Sequence, residues 1–152
     1  MTRKRPGLRL AVQGREDFAG LPSRVTLRRW LALALPGSAQ IGLRFVGARE
    51  GRALNREFRG RDYATNVLTF DYGNRQNIWA DIVLCVPVLR QEARAQGKRL
   101  RDHLAHLLIH GALHARGMDH ARPQDARAME ALETRLLARL AIPDPYAEVS
   151  TN

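Results

Sequence analysis

Hydrophobic positions repeat every second residue in the first half of the chain and every third or fourth residue in the second half. Alternating or continuous apolar runs predict four strands, at residues 8–13, 40–46, 66–70 and 78–86. Helical spacing predicts five helices, at residues 23–35, 50–58, 88–96, 100–116 and 122–140. Strands concentrated early and helices late indicate an α+β fold, in which one small sheet packs against about five helices.

Several residues with known preferences for helix ends support these boundaries. Ser23 stands where an N-cap is expected, and Pro123 falls in the first turn of the last helix. Glycines at 60, 97 and 117 follow three of the helices and suit left-handed caps. We therefore expect a single domain over residues 1–142, followed by a short C-terminal tail over residues 143–152.

Length and composition exclude several classes of protein. A chain of 152 residues is long enough for one domain, and 45% hydrophobic residues is normal for a globular protein. The longest apolar run, residues 82–89, is far too short to cross a membrane, and the basic start makes a poor signal peptide. Cys85 is the single cysteine, which excludes an internal disulfide and is expected to be a small buried residue. A cytoplasmic location is expected.

The charge of the chain is strongly basic and unevenly distributed. The formal net charge is +10. Residues 1–76 carry 15 basic and 6 acidic side chains, a net +9, whereas residues 77–152 carry 10 and 9, a net +1. The excess of Lys and Arg in the first half predicts a surface that attracts anionic partners such as nucleic acid.

All five histidines of the chain fall within one 18-residue window, from position 103 to position 120. On a helix, His110 and His114 lie one turn apart, roughly 6 Å along the axis, so both imidazoles can reach one ion. A left-handed turn at Gly117 would then bring His120 back toward the same ion. Three neutral imidazoles suit Zn²⁺ and leave a fourth position open. The spacing therefore predicts one zinc ion held by His110, His114 and His120.

The two earlier histidines have no assigned role. His103 lies roughly 10 Å from His110 along a helix and cannot share its ion. His106 could support a ligand or face a substrate, but a core or surface position is equally compatible with the sequence.

The His-x3-His-x5-His spacing equals that of the extended zinc motif of metzincin proteases. Those enzymes require a glutamate directly after the first histidine as general base. Gly111 occupies that position here and has no side chain. Asp119, beside the last histidine, is expected to be a turn residue or an acceptor for an imidazole N–H. Peptide hydrolysis by that route is therefore not expected.

The residues of the histidine motif resemble those of a known family. Residues 110–120, His-Gly-Ala-Leu-His-Ala-Arg-Gly-Met-Asp-His, are similar to the His-Gly-x-Leu-His-x-x-Gly-Tyr-Asp-His signature of the YbeY family. The resemblance also covers residues 54–59, 65–70, 80–85, 103–106, 129–134 and 144–146. Asn66, Ala80 and Met118 depart from it, since the family usually has Asp, Gly and Tyr there.

The resemblance implies both a fold and an activity. Members of the family are bacterial metal-dependent endoribonucleases of ribosomal RNA maturation, with an α+β fold and a zinc held by the three motif histidines. It implies an arginine important for activity at the position of Arg59. A guanidinium there can bind the scissile phosphate through its planar fork and offset charge in the transition state. Residues Arg56 and Arg61 could extend a phosphate track or simply lie on the surface.

We therefore expect a zinc-dependent, single-strand-preferring endoribonuclease acting at the 3′ end of 16S ribosomal RNA and in ribosome quality control. Its partners would be single-stranded and ribosomal RNA, the small ribosomal subunit and assembly factors. The sequence leaves open whether water or the 2′-OH attacks, and it offers no evident general base. With aromatic residues at 6%, it also predicts no stacking platform for bases. An alternative is a non-catalytic RNA-binding assembly factor with a structural zinc.

Overall fold

The fold is described from a computed structural model, which covers residues 7–74, 76–119 and 121–147. Four strands form one sheet: β1 (Leu8–Gln13), β2 (Ala39–Val46), β3 (Val67–Asp71) and β4 (Ile78–Cys85). Five α-helices accompany them: α1 (Arg24–Ala34), α2 (Ala48–Arg59), α3 (Val86–Ala95), α4 (Leu100–Ala115) and α5 (Pro123–Arg139). A short 3-10 turn at Arg15–Asp17 follows β1. The predicted α+β fold and its element types are confirmed.

The strands are arranged in the spatial order β1-β2-β4-β3. β1, β2 and β4 run parallel to one another, and β3 pairs antiparallel with β4 through a hairpin. α1 connects β1 to β2, because parallel neighbours need a crossover. β3 is consequently an edge strand, and one of its sides is available to form a cleft.

The two faces of the sheet are covered to different extents. Alternate residues of β4 point to opposite faces: Ile82 and Leu84 join the main core, whereas Val83 and Cys85 join a smaller cluster. The main core lies between the sheet and helices α1, α4 and α5, with α3 contributing at its side. Leu54 of α2 packs on the smaller cluster. α2 is thus the helix that covers part of the opposite face.

The predicted element boundaries are accurate to within about two residues, and one of the differences has a clear cause. β4 ends at Cys85 and α3 begins at Val86, whereas the sequence predicted a strand to residue 86 and a helix from 88. Pro87 falls in the first helical turn, where its missing N–H costs little. Cys85 is therefore the last residue of the strand and is buried, as predicted.

The predicted helix caps are present. The Ser23 hydroxyl accepts a hydrogen bond from the Thr26 N–H at 3.2 Å, and α5 begins at Pro123. Gly60, Gly97 and Gly117 all have positive φ, as left-handed caps require. Every helix in the described part of the chain is too short or too polar to span a bilayer.

Candidate functional site

Helix α4 brings two of the predicted metal ligands together. Most of its other side chains are buried in the main core, so its register is fixed by packing on α1, α3, α5 and the sheet. His110 and His114 emerge half-buried on one face, with ring centroids 4.7 Å apart and ring planes at 78°. The one-turn spacing of the sequence therefore does place these two imidazoles side by side.

Glu133 of α5 lies directly behind His110. Its side chain is completely buried, and one carboxylate oxygen contacts His110 Nδ1 in a short hydrogen bond. The other oxygen accepts a short hydrogen bond from the Tyr146 hydroxyl. His106 Nε2 lies 3.1 Å from that hydroxyl and 3.7 Å from the same carboxylate. One buried carboxylate thus holds two histidines of α4 and a tyrosine from residues 143–147.

The protonation states of this network follow from its contacts. Burial alone raises the pKa of the Glu133 carboxyl, but the neighbouring His106, His110 and Tyr146 side chains, the last two hydrogen-bonded to it, outweigh burial and lower that pKa to about 2. Burial and the neighbouring carboxylate raise the pKa of the Tyr146 phenol. Glu133 is therefore an anion at neutral pH and Tyr146 a proton donor. His110 carries its proton on Nδ1, so it would bind a metal through Nε2.

A cleft of about 430 Å³ opens in front of His110 and His114. Its other walls come from the end of α2, from the segment leading into β3 and from β3 itself. These residues are Arg59, Thr65, Asn66, Val67, Thr69 and Asp71. Arg59 is the last residue of α2 and is exposed. The structure therefore brings the predicted phosphate-binding arginine and two predicted metal ligands to one cleft.

The loop between α2 and β3 is held in place by hydrogen bonds to α2. Gly60 has φ +68°, which turns the chain directly after Arg59. Buried Asn55 donates from Nδ2 to the Tyr63 carbonyl at 2.8 Å. Arg52 and Asp62 form a bidentate pair at 2.7 and 2.9 Å. These contacts fix the loop that carries the cleft residues, so the wall is preformed.

Asn66 connects the cleft to a second buried histidine. Its side-chain Nδ2 donates to the Glu92 carboxylate at 3.1 and 3.2 Å. Its side-chain Oδ1 accepts a hydrogen bond from the Val67 N–H at 2.7 Å. His103 Nε2 lies 3.0 Å from the same carboxylate. His103 is thus a buried residue that supports the cleft wall, and it does not reach the His110–His114 pair.

Gly111 is buried where α4 packs on the sheet. A Cβ at this position would lie 3.4 Å from both Ile82 Cδ1 and Thr69 Oγ1, which is ordinary contact distance. The position that holds the general-base glutamate in the protease motif is therefore a buried glycine with no side chain to accept a proton.

The remaining predicted site residues are accounted for as follows. His120, the third predicted ligand, lies outside the described residues. Among those described, no group of three His, Cys, Asp or Glu side chains is arranged to hold a metal. The Asp119 carboxylate accepts from the Ala121 N–H at 3.1 Å, as a turn residue does. Cys85 belongs to the cluster on the opposite face of the sheet, which separates it from the histidines.

Sequence reasoning missed three residues of the site. Glu133 stands within the apolar stripe of α5, four residues after Met129 and four before Leu137. A charge in such a stripe signals a buried partner, and this signal was available. Tyr146 was assigned to a tail. Asp71 reaches the cleft only because β3 is an edge strand, which the sequence does not reveal.

The donor chemistry of the site fits a metal ion. Imidazoles that bind metals commonly donate their second N–H to a carboxylate, which fixes the tautomer and raises the basicity of the ligand. Glu133 stands in that relation to His110. The adjacent ring of His114 supplies a second nitrogen donor of the kind that Zn²⁺ prefers.

Comparisons with known proteins identify relatives of this chain. The family model described as endoribonuclease YbeY matches residues 22–141. A protein named endoribonuclease YbeY from Aromatoleum aromaticum is 52% identical over 143 residues, which are 92% of this chain and 93% of the relative. Its namesake from Bordetella pertussis is 57% identical over 151 residues, 91% and 96% of the respective chains.

One solved structure supports the fold independently of close sequence similarity. The solution structure of a protein from Thermotoga maritima superposes with a TM-score of 0.67 at 22% identity, covering 94% of this chain and 99% of that one. The family match over most of the chain and the similarity to the two named relatives establish that this protein belongs to the endoribonuclease YbeY family.

Proposed function

We propose that this chain is a zinc-dependent endoribonuclease whose reaction takes place in the cleft between His110, His114 and Arg59. Endoribonuclease activity is the function that its family and its relatives carry in their names. The observation that supports the location is the cleft itself, which is lined by a paired, carboxylate-backed imidazole site and by an exposed arginine. We propose further that the metal is zinc and that its ligands are His110, His114 and His120.

Some residues of the cleft bind the substrate phosphate, and others orient the metal ligands. A bound Zn²⁺ supplies Lewis-acid activation of water and polarisation of a phosphoryl oxygen. Arg59 binds the scissile phosphate and stabilises negative charge as it develops there. Glu133 keeps His110 in the tautomer that presents Nε2. The preformed loop of residues 60–66 holds the phosphate-binding side of the cleft in place.

The substrate class that we propose is the single-stranded 3′ end of 16S ribosomal RNA, with the small ribosomal subunit and assembly factors as partners. The net +9 of residues 1–76, which include Arg59, supports attraction to phosphate regardless of sequence. The cleft of about 430 Å³ brings the exposed Arg59 guanidinium to the same place as His110 and His114. We place the reaction in the cytoplasm and in ribosome quality control.

Cleavage of a ribosomal RNA precursor fragment by the purified protein tests this function. We expect endonucleolytic products that disappear with chelator and return when zinc is added back. His114→Ala is the control for contaminating nuclease. Arg101→Lys is the matched control, because Arg101 is an exposed residue of the same helix that does not line the cleft, and this variant should retain zinc. RNA binding with one zinc per chain but no cleavage would favour the non-catalytic assembly factor instead.

A further inference from the structure

The face of the sheet opposite the main core is only partly covered. α2 packs over the Val83 and Cys85 end of β4, whereas the other end of the sheet carries no helix in the described part of the chain. Two large aromatic side chains lie exposed there: Tyr72, with 52% of its surface accessible, and Trp79, with 49%. Their ring centroids are 5.1 Å apart.

Strand register places these aromatic residues in one row across the sheet. Arg9 of β1 pairs with Gln40 of β2, and Gln40 pairs with Trp79 of β4. Tyr72, just after β3, donates its N–H to the Trp79 carbonyl at 2.8 Å. All four side chains are exposed. With strands about 4.8 Å apart, the row spans about 14 Å.

A depression runs beside this row. The next row consists of Ala11, Gly42, Asp81 and Phe70, whose first two members are small. A Cβ on Gly42 would lie 2.3 Å from the Asp81 carboxylate, because that side chain lies over the Gly42 backbone. The groove has a volume of about 410 Å³. The Tyr72 hydroxyl donates to Asp81 Oδ2 at 3.1 Å. This hydrogen bond orients the Tyr72 ring at the rim of the groove.

The groove and the catalytic cleft have a common border. Arg59 lines the cleft, and its neighbour Phe58 lines the groove. Likewise Asp71 lines the cleft, and Tyr72 lines the groove. A strand whose phosphate lies at Arg59 can therefore continue over the end of α2 and the edge of β3 onto the open face.

We propose that this open face binds the single-stranded RNA flanking the scissile phosphate, with bases stacked on Tyr72 and Trp79 and the backbone contacted by Arg9. This inference rests on the proposed function for the identity of its ligand. Exposed aromatics on a four-stranded sheet are a general mode of binding single-stranded RNA. The position of Arg9 at the end of the row supplies the charge complementarity. Tyr72 and Trp79 lie in one row although aromatic residues make up only 6% of the chain, because the β3–β4 hairpin brings the two rings together.

Binding of an uncleavable single strand tests the proposal. The probe is a 2′-O-methyl oligouridylate of about 12 nucleotides, titrated into the full-length protein at low salt. Trp30 is 1% exposed in the core, so quenching of the accessible tryptophan reports contact with Trp79. We expect quenching in the wild type. By anisotropy of the labelled probe, Trp79→Ala and Tyr72→Ala should each weaken binding roughly 5- to 100-fold.

Matched variants separate stacking from loss of structure. Trp79→Phe keeps an aromatic plane and should restore most of the affinity. Tyr63→Ala is the control, because Tyr63 is as exposed as Tyr72 but lies in the loop after α2. Arg9→Gln should reduce the dependence of log K on log salt by about 0.7. Duplex RNA, whose bases are already stacked, should bind more weakly than the single strand.

The outcomes distinguish this inference from the proposed function. His114→Ala should lose cleavage yet keep the quenching. Equal affinity of the Trp79→Ala and Tyr63→Ala variants for the oligonucleotide would overturn the inference and leave the proposed catalytic cleft untouched. Binding at Trp79 by a wild-type protein that cleaves nothing would instead overturn the function and leave the open-face site standing.

Discussion

Glu133 of α5 fixes the orientation of His110 of α4 through a short hydrogen bond to Nδ1, although the two residues are 23 positions apart. The carboxylate is wholly buried and remains ionised because His110 and Tyr146 donate hydrogen bonds to it and the His106 ring lies beside it. A histidine held in this way has one tautomer, and its Nε2 is presented as a ligand. The relationship makes the site testable at a residue that does not itself bind the proposed metal.

Replacing Glu133 with Gln should weaken zinc binding about 10- to 100-fold, because the amide no longer supports the ligand tautomer of His110. Competition with a chromophoric chelator measures the affinity. Glu130→Gln is the control, since Glu130 is an exposed residue of the same helix. Unchanged zinc affinity in Glu133→Gln would remove this carboxylate from the metal site.

The Glu133 carboxylate should make the free energy of unfolding of the metal-free protein fall in acid. Its pKa is about 2 in the folded protein, below the unfolded value of about 4.3. Its contribution to stability is therefore fully present above about pH 4.3 and is lost as pH falls toward 2. Urea unfolding at several pH values should show that Glu133→Gln loses less stability than wild type across this window. Parallel losses in the two proteins would contradict the assignment.

Removing the Tyr146 hydroxyl should cost about 1 kcal/mol of unfolding free energy, because Glu133 loses one of its buried donors. Tyr146→Phe keeps the ring and its edge contact with His106, so the change isolates the hydrogen bond. Tyr63→Phe is the control, because it removes a hydroxyl from an exposed ring. Equal stability of Tyr146→Phe and wild type would mean that the segment after α5 does not support the site.

Arg59→Ala should reduce RNA cleavage roughly 100- to 1,000-fold, as removal of a donor to a developing oxyanion does. Its zinc content should stay at the wild-type level, because a guanidinium is always protonated and is not a metal ligand. Arg56→Ala removes an exposed arginine of the same helix that does not line the cleft. Comparable cleavage by the two variants would exclude Arg59 from the reaction.

Much of this architecture is predictable from local sequence. The period of apolar residues, the cap at Ser23 and the glycines after three helices identify the elements, because those preferences are local. The pairing of His110 with His114 follows from helical spacing alone. Contacts between elements are not local. Glu133 meets His110 only after α5 packs on α4, and Tyr72 meets Trp79 only after the β3–β4 hairpin forms.

A single-turnover cleavage assay, titrated with zinc from the metal-free state, tests the site most directly. The wild-type rate on a single-stranded ribosomal RNA fragment should rise with zinc and level off at one ion per chain. His114→Ala should remain inactive at every zinc concentration, while Arg101→Lys, at an exposed position of the same helix, should respond as the wild type does. A wild-type rate that is independent of zinc, or cleavage by His114→Ala equal to that of wild type, would contradict a metal-dependent reaction in this cleft.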